Sequence, residues 1–453
     1  MPKSKSLFEA AKKVIPSGVN SPVRYFEPYP FFVKKAAGSK IWDEDGNKYI
    51  DYCTGYGAML LGHRNPRIIS SVKKQLTIGT LYGAPTSSEV ELATLINRAY
   101  PSMQKIRLVN TGSEATMTAI RLARGFTKKK KIIKFEGSYH GAHESLLVRA
   151  GSGSAGIAVS EGVPNDFIKN TIVIEYNNSE QLEKVITKND DIAGIIVEPV
   201  LGNMGLILPE KNFLYDMRKM TRKAGITLIF DEIITGFRMG LGGAQAHFGI
   251  KPDMTTLGKS LSNGFVISAV GGNREIMDQL APGGKVYEAS TFAGNPVSVA
   301  AGIASLQTMS SLKNKIYPKI AKQCLTLAKS IHESATKYGI PHQVNAIESM
   351  FQIFFTDKPV VDYASSKRAD GKKFHRMFHN LLKQGVFVAP SQFETGFFSY
   401  AHSNSDLENT IQAYDNALRK LNNEIPYRDK RESIIHCTDK VDSGRTKKEK
   451  PRK

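Results

Sequence analysis

Short apolar runs alternate with helix-length segments through the middle of the chain, and this alternation limits the folds open to it more than any other feature. Strands that are apolar on both faces are typical of a mostly parallel sheet covered by helices. Ligands of such sheets bind at the carboxyl ends of the strands. The pattern therefore predicts an α/β fold with its site just after these runs, which are KIRLVN, KIIKF, TIVIEY, AGIIVEP, TLIFDE and SAVGG.

Both ends of the chain predict a second, smaller domain. Residues 31–61 contain a strand, a turn around Asp45-Gly46-Asn47 and another strand, and alternating strands recur in HQVNAIESMFQIFFT and GVFVAP. We expect the two ends to form one α+β domain beside the large one. The predicted divisions are 1–65 for the N-terminal part of the small domain, 66–300 for the large cofactor-binding domain, 301–425 for the C-terminal part of the small domain and 426–453 for a basic, disordered tail.

The chain is strongly basic, with 62 Lys and Arg residues against 42 Asp and Glu residues and a formal net charge of +20. Such a charge would favour an anionic partner, and nucleic acid is one hypothesis. The segment 426–453 carries ten basic and five acidic residues, and the rest of the excess is dispersed. Because no recognition module or aromatic-interleaved basic patch accompanies this charge, we do not expect a nucleic-acid partner.

Membrane, disulfide and metal-dependent classes are not indicated. The longest apolar stretches are far shorter than the roughly 20 residues of a membrane-spanning helix, and the N-terminus is patterned as an amphipathic helix instead of a secretory leader. Cys53, Cys324 and Cys437 show no CxxC spacing, and His375 and His379 share a helical face without further metal ligands. We expect a cytoplasmic protein with no membrane span and no metal.

A candidate anion site lies where KIRLVN runs into Thr111, Gly112 and Ser113 and a helix begins. Free backbone N–H groups and the positive end of the helix dipole suit a phosphate, and Gly112 would let the backbone approach closely. An ordinary Ser N-cap with Glu114 in the first turn explains the same residues equally well. The motif alone leaves both interpretations open.

A candidate carboxylate and a candidate lysine follow two later segments. Asp231 and Glu232 end the apolar TLIFDE run, where a carboxylate is costly unless it meets a cation or hydrogen-bond donors. A protonated pyridine nitrogen would satisfy Asp231, and a salt bridge to Arg238 is the structural alternative. Lys259 lies among small residues in PDMTTLGKSLSNG.

These features together predict a cofactor site. A phosphate cradle, a carboxylate for a pyridinium nitrogen and a lysine for a Schiff base are what pyridoxal phosphate requires. Tyr139 and His140 lie in a glycine-flanked turn after KIIKF, at the same edge of the sheet, where an aromatic side chain could cover the ring. We therefore expect pyridoxal 5'-phosphate, or its pyridoxamine form, as the cofactor.

From about Leu7 to about Ala417 the chain resembles the class III, fold type I pyridoxal-phosphate-dependent aminotransferases. Within that family, VNSPVR, GNMG and APSQFE are similar to the aminomutase pattern. The resemblance implies that the chain isomerises glutamate-1-semialdehyde to 5-aminolevulinate for tetrapyrrole synthesis. An ordinary class III transaminase, which needs a separate keto acid, is the alternative. Other strings that carry the resemblance are IWDEDGNKYIDY, GSEATMTAIRLARG, EGSYHGAHESLLVRAGSG, VEPVLGNMG, FDEIITGFR, TTLGK and FAGNP.

The resemblance also implies partners and residue roles. It implies a homodimer and a transient contact with the enzyme that supplies the semialdehyde. Lys259 would be the Schiff-base lysine and the catalytic acid/base. The remaining implied roles are Asp231 at the pyridinium nitrogen, Gly112 and Ser113 with Thr291 of the other subunit at the phosphate, Tyr139 and His140 at the ring, Asn203 near the cofactor, Ser21 and Arg24 at the substrate carboxylate, and Glu394 near the substrate amino end.

The chain departs from the family pattern close to these residues. Tyr56-Gly57-Ala58 stands in place of Trp-Gly-Pro, SLSNGFVIS replaces a glycine run after the lysine, and Ser290 replaces a glycine. The segment AGSGSAGIAVSEGVP differs from the family's lid in its middle. Gly151, Gly153 and Gly156 fit GxGxxG, but Gly162 and Pro164 interrupt the helix that should follow, which favours a lid over a dinucleotide site.

Overall fold

The computed structural model describes residues 2–151 and 160–423, and their strands form three sheets. The strands are β1 (Val33–Ala37), β2 (Lys40–Asp43), β3 (Lys48–Asp51), β4 (Lys105–Val109), β5 (Lys131–Phe135), β6 (Thr171–Ile174), β7 (Ile192–Val197), β8 (Thr227–Glu232), β9 (Met254–Leu257), β10 (Ser268–Gly272), β11 (Gln343–Ile347), β12 (Met350–Phe354), β13 (Val386–Phe387) and β14 (Gly396–Phe397).

The largest sheet confirms the predicted α/β fold. Its order is β4-β10-β9-β8-β7-β5-β6, and only β10 runs antiparallel to its neighbours within the described chain. Every residue of β7 and β8 is buried, so the apolar runs IAGIIV of β7 and LIF of β8 follow from cover on both faces. The sheet is mostly parallel, as the apolar runs predicted.

Helices cover the two faces of this sheet. Successive residues of β7 enter different apolar clusters: Ile195 belongs to the cluster that contains Met217, and Ile196 to the cluster that contains Ile120. The helical elements are α1 (Lys3–Ala11), α2 (Thr54–Gly57), α3 (Pro66–Leu76), α4 (Ser87–Ala99), α5 (Gly112–Thr127), α6 (Asn165–Ile168), α7 (Ser179–Lys188), α8 (Phe213–Ala224), α9 (Gly243–Phe248), α10 (Arg274–Met277), α11 (Pro296–Lys337), α12 (Tyr363–Arg368), α13 (Gly371–Leu382) and α14 (Asn404–Asn423).

Two details of the strand prediction were wrong. Strand β9 was not predicted, because four residues with two threonines give too short an apolar run, yet it pairs with both β8 and β10. The N-terminal region has three strands instead of two, because a turn at Gly38, with φ of +60°, separates β1 from β2. Local sequence patterns did not reveal either pairing.

Two smaller sheets lie outside the central one. Strand β13 pairs in parallel with β3, which brings residues near the two chain ends into one sheet of order β1-β2-β3-β13. Strands β11, β12 and β14 form the other. The domain divisions at 65, 300 and 425 stay predictions. None of the described helices is both long and apolar enough to cross a bilayer.

Some predicted features lie outside the described residues. They are the basic tail 426–453, Cys437, the middle of the lid segment, and Gly153 and Gly156 of the GxGxxG match.

Candidate active site

The carboxyl ends of β4, β5, β7, β8 and β9 open into a cavity of about 700 Å³. This is the edge of the sheet at which the sequence analysis placed the site. Its walls include residues from the N-terminal turn, from the strand ends and from the region near the C-terminus. The predicted site residues that line it are Ser21, Gly112, Ser113, Tyr139, His140, Asn203, Asp231, Lys259 and Glu394.

The start of α5 forms the anion cradle of this cavity. Thr111 caps the helix, since its side chain accepts from the backbone N–H of Glu114 at 3.2 Å. The cap is therefore Thr111 and not Ser113, the residue that the ordinary-cap interpretation had proposed. Within the described residues, the backbone N–H groups of Gly112 and Ser113 donate to no protein acceptor. Both groups are free to bind an anion at the positive end of the helix dipole.

The loop after β5 closes over this cradle. Ser113 Oγ accepts from the backbone N–H of Ala142 at 3.1 Å, which joins the loop to the helix start. Gly141 has φ of +93°, and a Cβ there would lie 2.5 Å from Ser113 Oγ. Any other residue at 141 would push the loop away from the cradle. The same loop carries Tyr139 and His140 into the cavity.

Asp231 supplies a buried carboxylate, with only 4% of the residue exposed. Its Oδ2 accepts from His140 Nδ1 at 2.7 Å, and its Oδ1 accepts from Thr256 Oγ1 at 3.0 Å. Because an ionised carboxylate only accepts, the proton of His140 lies on Nδ1. His140 Nε2 is buried and has no partner among the described residues. These donors fix the orientation of the carboxylate at the cavity.

The structural alternative for Asp231, a salt bridge to Arg238, does not form within the described residues. Arg238 is fully buried and donates instead to Gly57 O, Ser349 Oγ and Phe398 O. Glu232 points to the opposite face of β8 from Asp231, where Ala244 N and Gln245 N donate to it. Alternation along the strand thus sends one carboxylate to the cavity and the other to the interior.

Lys259 follows β9 in a left-handed conformation, with φ of +43°, and lines the cavity. Burial lowers the pKa of its amine, and the carboxylates of Glu394, Glu198 and Asp231 oppose that shift. A lysine with a lowered pKa is more often uncharged, and an uncharged amine is a nucleophile and a base. The side chain therefore combines reactivity with access to the cavity.

Glu198 is a site residue that the sequence analysis did not select. Its carboxylate accepts from Tyr139 N, Gly202 N and Asn203 Nδ2, each at 2.9 Å, and so joins the ring-covering loop to the segment after β7. Burial raises its pKa. The signal was present in the sequence, because Glu198 ends a fully apolar strand in the same way as Asp231.

Two predicted residues lie away from the cavity lining. Arg24 is exposed, although Ser21 in the same turn lines the cavity. Thr291 is also exposed, and the sequence analysis assigned it to the site of another subunit. Its neighbour Ser290, one of the departures, accepts from Asn110 Nδ2 at 2.7 Å and so contacts the cavity wall.

The sequence also suggested two alternative sites, a metal site at a histidine pair and a dinucleotide site at the GxGxxG match. His375 and His379 form a hydrogen-bonded pair with 3.0 Å between their Nε2 atoms. No group of three or more His, Cys, Asp or Glu side chains suited to a metal lies within residues 2–151 and 160–423. The GxGxxG match extends beyond the described residues.

The geometry suits an occupant with three particular groups. Free N–H groups at the start of α5 match an anion, the Asp231 carboxylate matches a cationic ring nitrogen, and the Lys259 amine matches an electrophilic carbonyl carbon. All three lie at one edge of the central sheet. A rigid ligand that carries a phosphate, a pyridine nitrogen and an aldehyde fits this set.

Comparisons with known proteins agree with this chemistry. Residues 23–399 match the family model described as aminotransferase class-III. The glutamate-1-semialdehyde 2,1-aminomutase of Nitrosopumilus maritimus is 65% identical over 419 residues, which are 92% of this chain and 99% of that protein.

Solved structures share the fold. An omega-transaminase from Sphaerobacter thermophilus superimposes with a TM-score of 0.86 at 31% identity, covering 93% of this chain and 98% of that one. A transaminase with PLP bound gives a TM-score of 0.84 at 27% identity, with the same coverage. The family model spans most of the sequence and the structural likeness spans nearly all of it, so this chain belongs to the class III aminotransferases.

Proposed function

We propose that this protein is a glutamate-1-semialdehyde 2,1-aminomutase that uses pyridoxal 5'-phosphate and its pyridoxamine form. One observation carries the proposal: a single cavity joins Lys259, Asp231 and the free N–H groups of α5 in a chain that is 65% identical to an aminomutase over almost its full length. Such an enzyme moves an amino group between two carbons of one molecule. The product is 5-aminolevulinate, a precursor of tetrapyrroles.

The described residues provide what this cofactor needs. When bound, pyridoxal phosphate supplies a carbonyl carbon that exchanges amines and a ring that withdraws electrons. Gly112 N–H and Ser113 N–H would bind its phosphate, and Asp231 would accept from its protonated ring nitrogen. Tyr139 would cover the ring, held in place by the hydrogen bond from its backbone N–H to Glu198.

Lys259 would carry the proton between the two substrate carbons. Its lowered pKa lets Nζ accept a proton from one carbon and return it to the other without a large energetic gap. Glu198 and Asp231 face the same cavity and favour the protonated amine when the proton is on Nζ. Ile233, Ile234 and Phe265 give the same cavity apolar walls, which would limit the access of water to this exchange.

The substrate carboxylate would bind at the N-terminal turn. Ser21 lines the cavity, and Arg24 ends the short helical turn Pro22–Arg24 beside it. A guanidinium binds a carboxylate through two parallel hydrogen bonds, which suits a substrate with one terminal acid group. Glu394 also lines the cavity and would lie near the amino group of the substrate.

A single assay tests the proposal. Purified protein loaded with the pyridoxamine form of the cofactor is given glutamate-1-semialdehyde with no added keto acid, and 5-aminolevulinate is measured over many turnovers. We expect continuous formation, because the amino group returns from substrate to cofactor in each cycle. Formation that stops after one turnover and resumes only with an added keto acid would identify an ordinary class III transaminase instead.

Replacing Arg24 with alanine tests the substrate end of the site. We expect the apparent KM for the semialdehyde to rise about tenfold, the lower end of the range for a charged hydrogen bond of about 1.5–3 kcal/mol, because the side chain is exposed to solvent. The absorbance of the bound cofactor should stay unchanged. An equal loss for an uncharged amino aldehyde would contradict the carboxylate role.

A homodimer with shared sites is part of the proposal. Val266 exposes 65% of its area at the cavity, and Tyr287 and Phe292, which flank Thr291 in the sequence, expose 71% and 58%. Large apolar side chains with this much exposed area are typical of surfaces that another subunit covers. The second copy would bring Thr291 to the phosphate of its neighbour.

Mixed dimers test the shared site. Subunits with Lys259→Ala and subunits with Thr291→Ala should each be impaired, and exchange between them should form hybrids in which one site keeps both residues. We expect activity in the mixture to rise severalfold above the sum of the separate samples. Native mass spectrometry would verify exchange, and no gain in exchanged dimers would count against the contribution of Thr291.

The cytoplasmic location and the transient contact with the enzyme that supplies the semialdehyde stay proposals. The contact would follow from the chemistry of the substrate, a small reactive aldehyde that must reach the cavity. Co-elution of the two proteins on a sizing column would support the contact.

A further inference from the structure

An unusual backbone turn forms one wall of the cavity. The four residues Thr54, Gly55, Tyr56 and Gly57, which make up α2, all have positive φ, with values of +46°, +62°, +55° and +87°. Left-handed conformations are unfavourable for residues with a side chain, so Thr54 and Tyr56 keep them only if the surroundings hold them. Tyr56 is the residue of this turn that lines the cavity.

Hydrogen bonds from several segments hold the turn. The carboxylate of Asp51 accepts from the backbone N–H groups of Cys53 and Thr54, each at 2.9 Å. Gly57 O accepts from Ser260 Oγ at 3.0 Å and from Arg238 Nη2 at 2.5 Å. Since Ser260 follows Lys259 directly, the turn is fixed relative to the lysine.

The hydroxyl of Tyr56 extends from this fixed turn to the N-terminal segment. It donates to Val23 O at 2.5 Å across 33 residues of sequence. Other hydrogen bonds of residues 19–24 in the described structure stay within 16–25. Burial raises the pKa of Tyr56, so the hydroxyl stays protonated and able to donate.

From this geometry we infer that Tyr56 is a positioning residue for substrate specificity, whose hydroxyl holds the Ser21–Arg24 turn against the cavity and so sets where a substrate carboxylate binds. The inference rests on the proposed function, since it concerns the end of the substrate that Ser21 and Arg24 would bind. The aromatic ring alone would form a wall. The hydroxyl adds the connection between that wall and the carboxylate-binding turn.

The test removes the hydroxyl and leaves the ring. In Tyr56→Phe we expect the KM for glutamate-1-semialdehyde to rise about three- to tenfold, the effect of one neutral hydrogen bond, with kcat changed less than twofold. For 2-aminobutanal, which lacks the carboxylate, kcat/KM should stay within about twofold of the wild-type value. The bound-cofactor absorbance should not change, and the melting temperature should fall by no more than about 2 °C, the cost of one neutral hydrogen bond in a chain of this size.

Tyr25→Phe is the matched control. Tyr25 lies in the same segment and donates to Glu27 Oε1 at 2.8 Å, away from the cavity lining, so the same loss of a hydroxyl should leave both substrates unaffected. An unchanged KM in Tyr56→Phe, or equal losses for the two substrates, would overturn the inference. A lower cofactor content in Tyr56→Phe, or a fall in melting temperature of more than about 5 °C, would overturn it as well, since it would show a general structural role.

The experiment distinguishes a failure of this inference from a failure of the proposed function. If wild-type protein forms no 5-aminolevulinate without a keto acid, the aminomutase proposal fails before any variant is compared. If the wild type is active and the carboxylate-dependent shift in KM is absent, only the role of Tyr56 fails.

Discussion

Lys259→Ala is expected to lower the rate of 5-aminolevulinate formation by at least about 10³-fold. General acid–base catalysis by a positioned side chain contributes about 10²–10⁴-fold, and this variant also loses the amine that reacts with the carbonyl carbon of the cofactor. The cavity keeps its phosphate cradle and Asp231, so cofactor should still bind without a covalent link. Borohydride reduction followed by mass spectrometry should add the cofactor's mass to the wild type and not to the variant.

Two further measurements make this prediction specific. Lys251→Ala removes an exposed lysine eight residues earlier and should keep the wild-type rate. A small external amine such as methylamine should restore part of the lost activity in Lys259→Ala, because it can replace the missing base within the cavity. A rate within tenfold of wild type in Lys259→Ala would contradict the assignment of this lysine.

Asp231→Asn is expected to lower turnover by about 10²–10³-fold, the usual loss when a preorganised electrostatic partner is removed from an active site. Asparagine keeps the shape of the side chain and loses the charge that would stabilise a protonated ring nitrogen. The buried position of Asp231, with 4% exposed, makes that charge hard for water to replace. Steady-state kinetics and the affinity for added cofactor would measure the loss.

Thr256→Val is the comparison variant for Asp231. It removes one hydrogen bond to Asp231 Oδ1 and leaves the charge, so we expect a loss of about tenfold or less. Both variants should keep a cooperative melting transition. If Thr256→Val and Asp231→Asn are impaired equally, or if Asp231→Asn retains a third of the wild-type rate, charge at this position is not what catalysis requires.

The arrangement of the site could be predicted from the sequence because the carboxyl ends of parallel strands lie at the same edge of a sheet. Ser113, Asp231 and Lys259 each follow an apolar run or a short strand, and the structure brings all three to one cavity. Glu198 has the same signal and was overlooked. The roles of these residues are predictions that the variants above would test, whereas the α/β fold and the family membership are established.

Other features depend on contacts that no local pattern encodes. Strand β9 is four residues long and takes its place only because β8 and β10 lie on either side. In the sequence, Asp231 and Arg238 are only seven residues apart, so a salt bridge between them was a possible interpretation. In the structure, Arg238 donates instead to Gly57 O and Phe398 O.

By itself, the sequence determined the alternation of strands and helices and the identity of the chemical groups at the strand ends, because burial on both faces of a sheet requires unbroken apolar runs. Only the tertiary structure decided that Asp231 faces the cavity and Glu232 the interior, and that the Tyr56 hydroxyl contacts Val23. The physical reason is that these choices depend on hydrogen-bond partners from 12 to 91 residues away in the chain, whose positions are set by the packing of the whole domain.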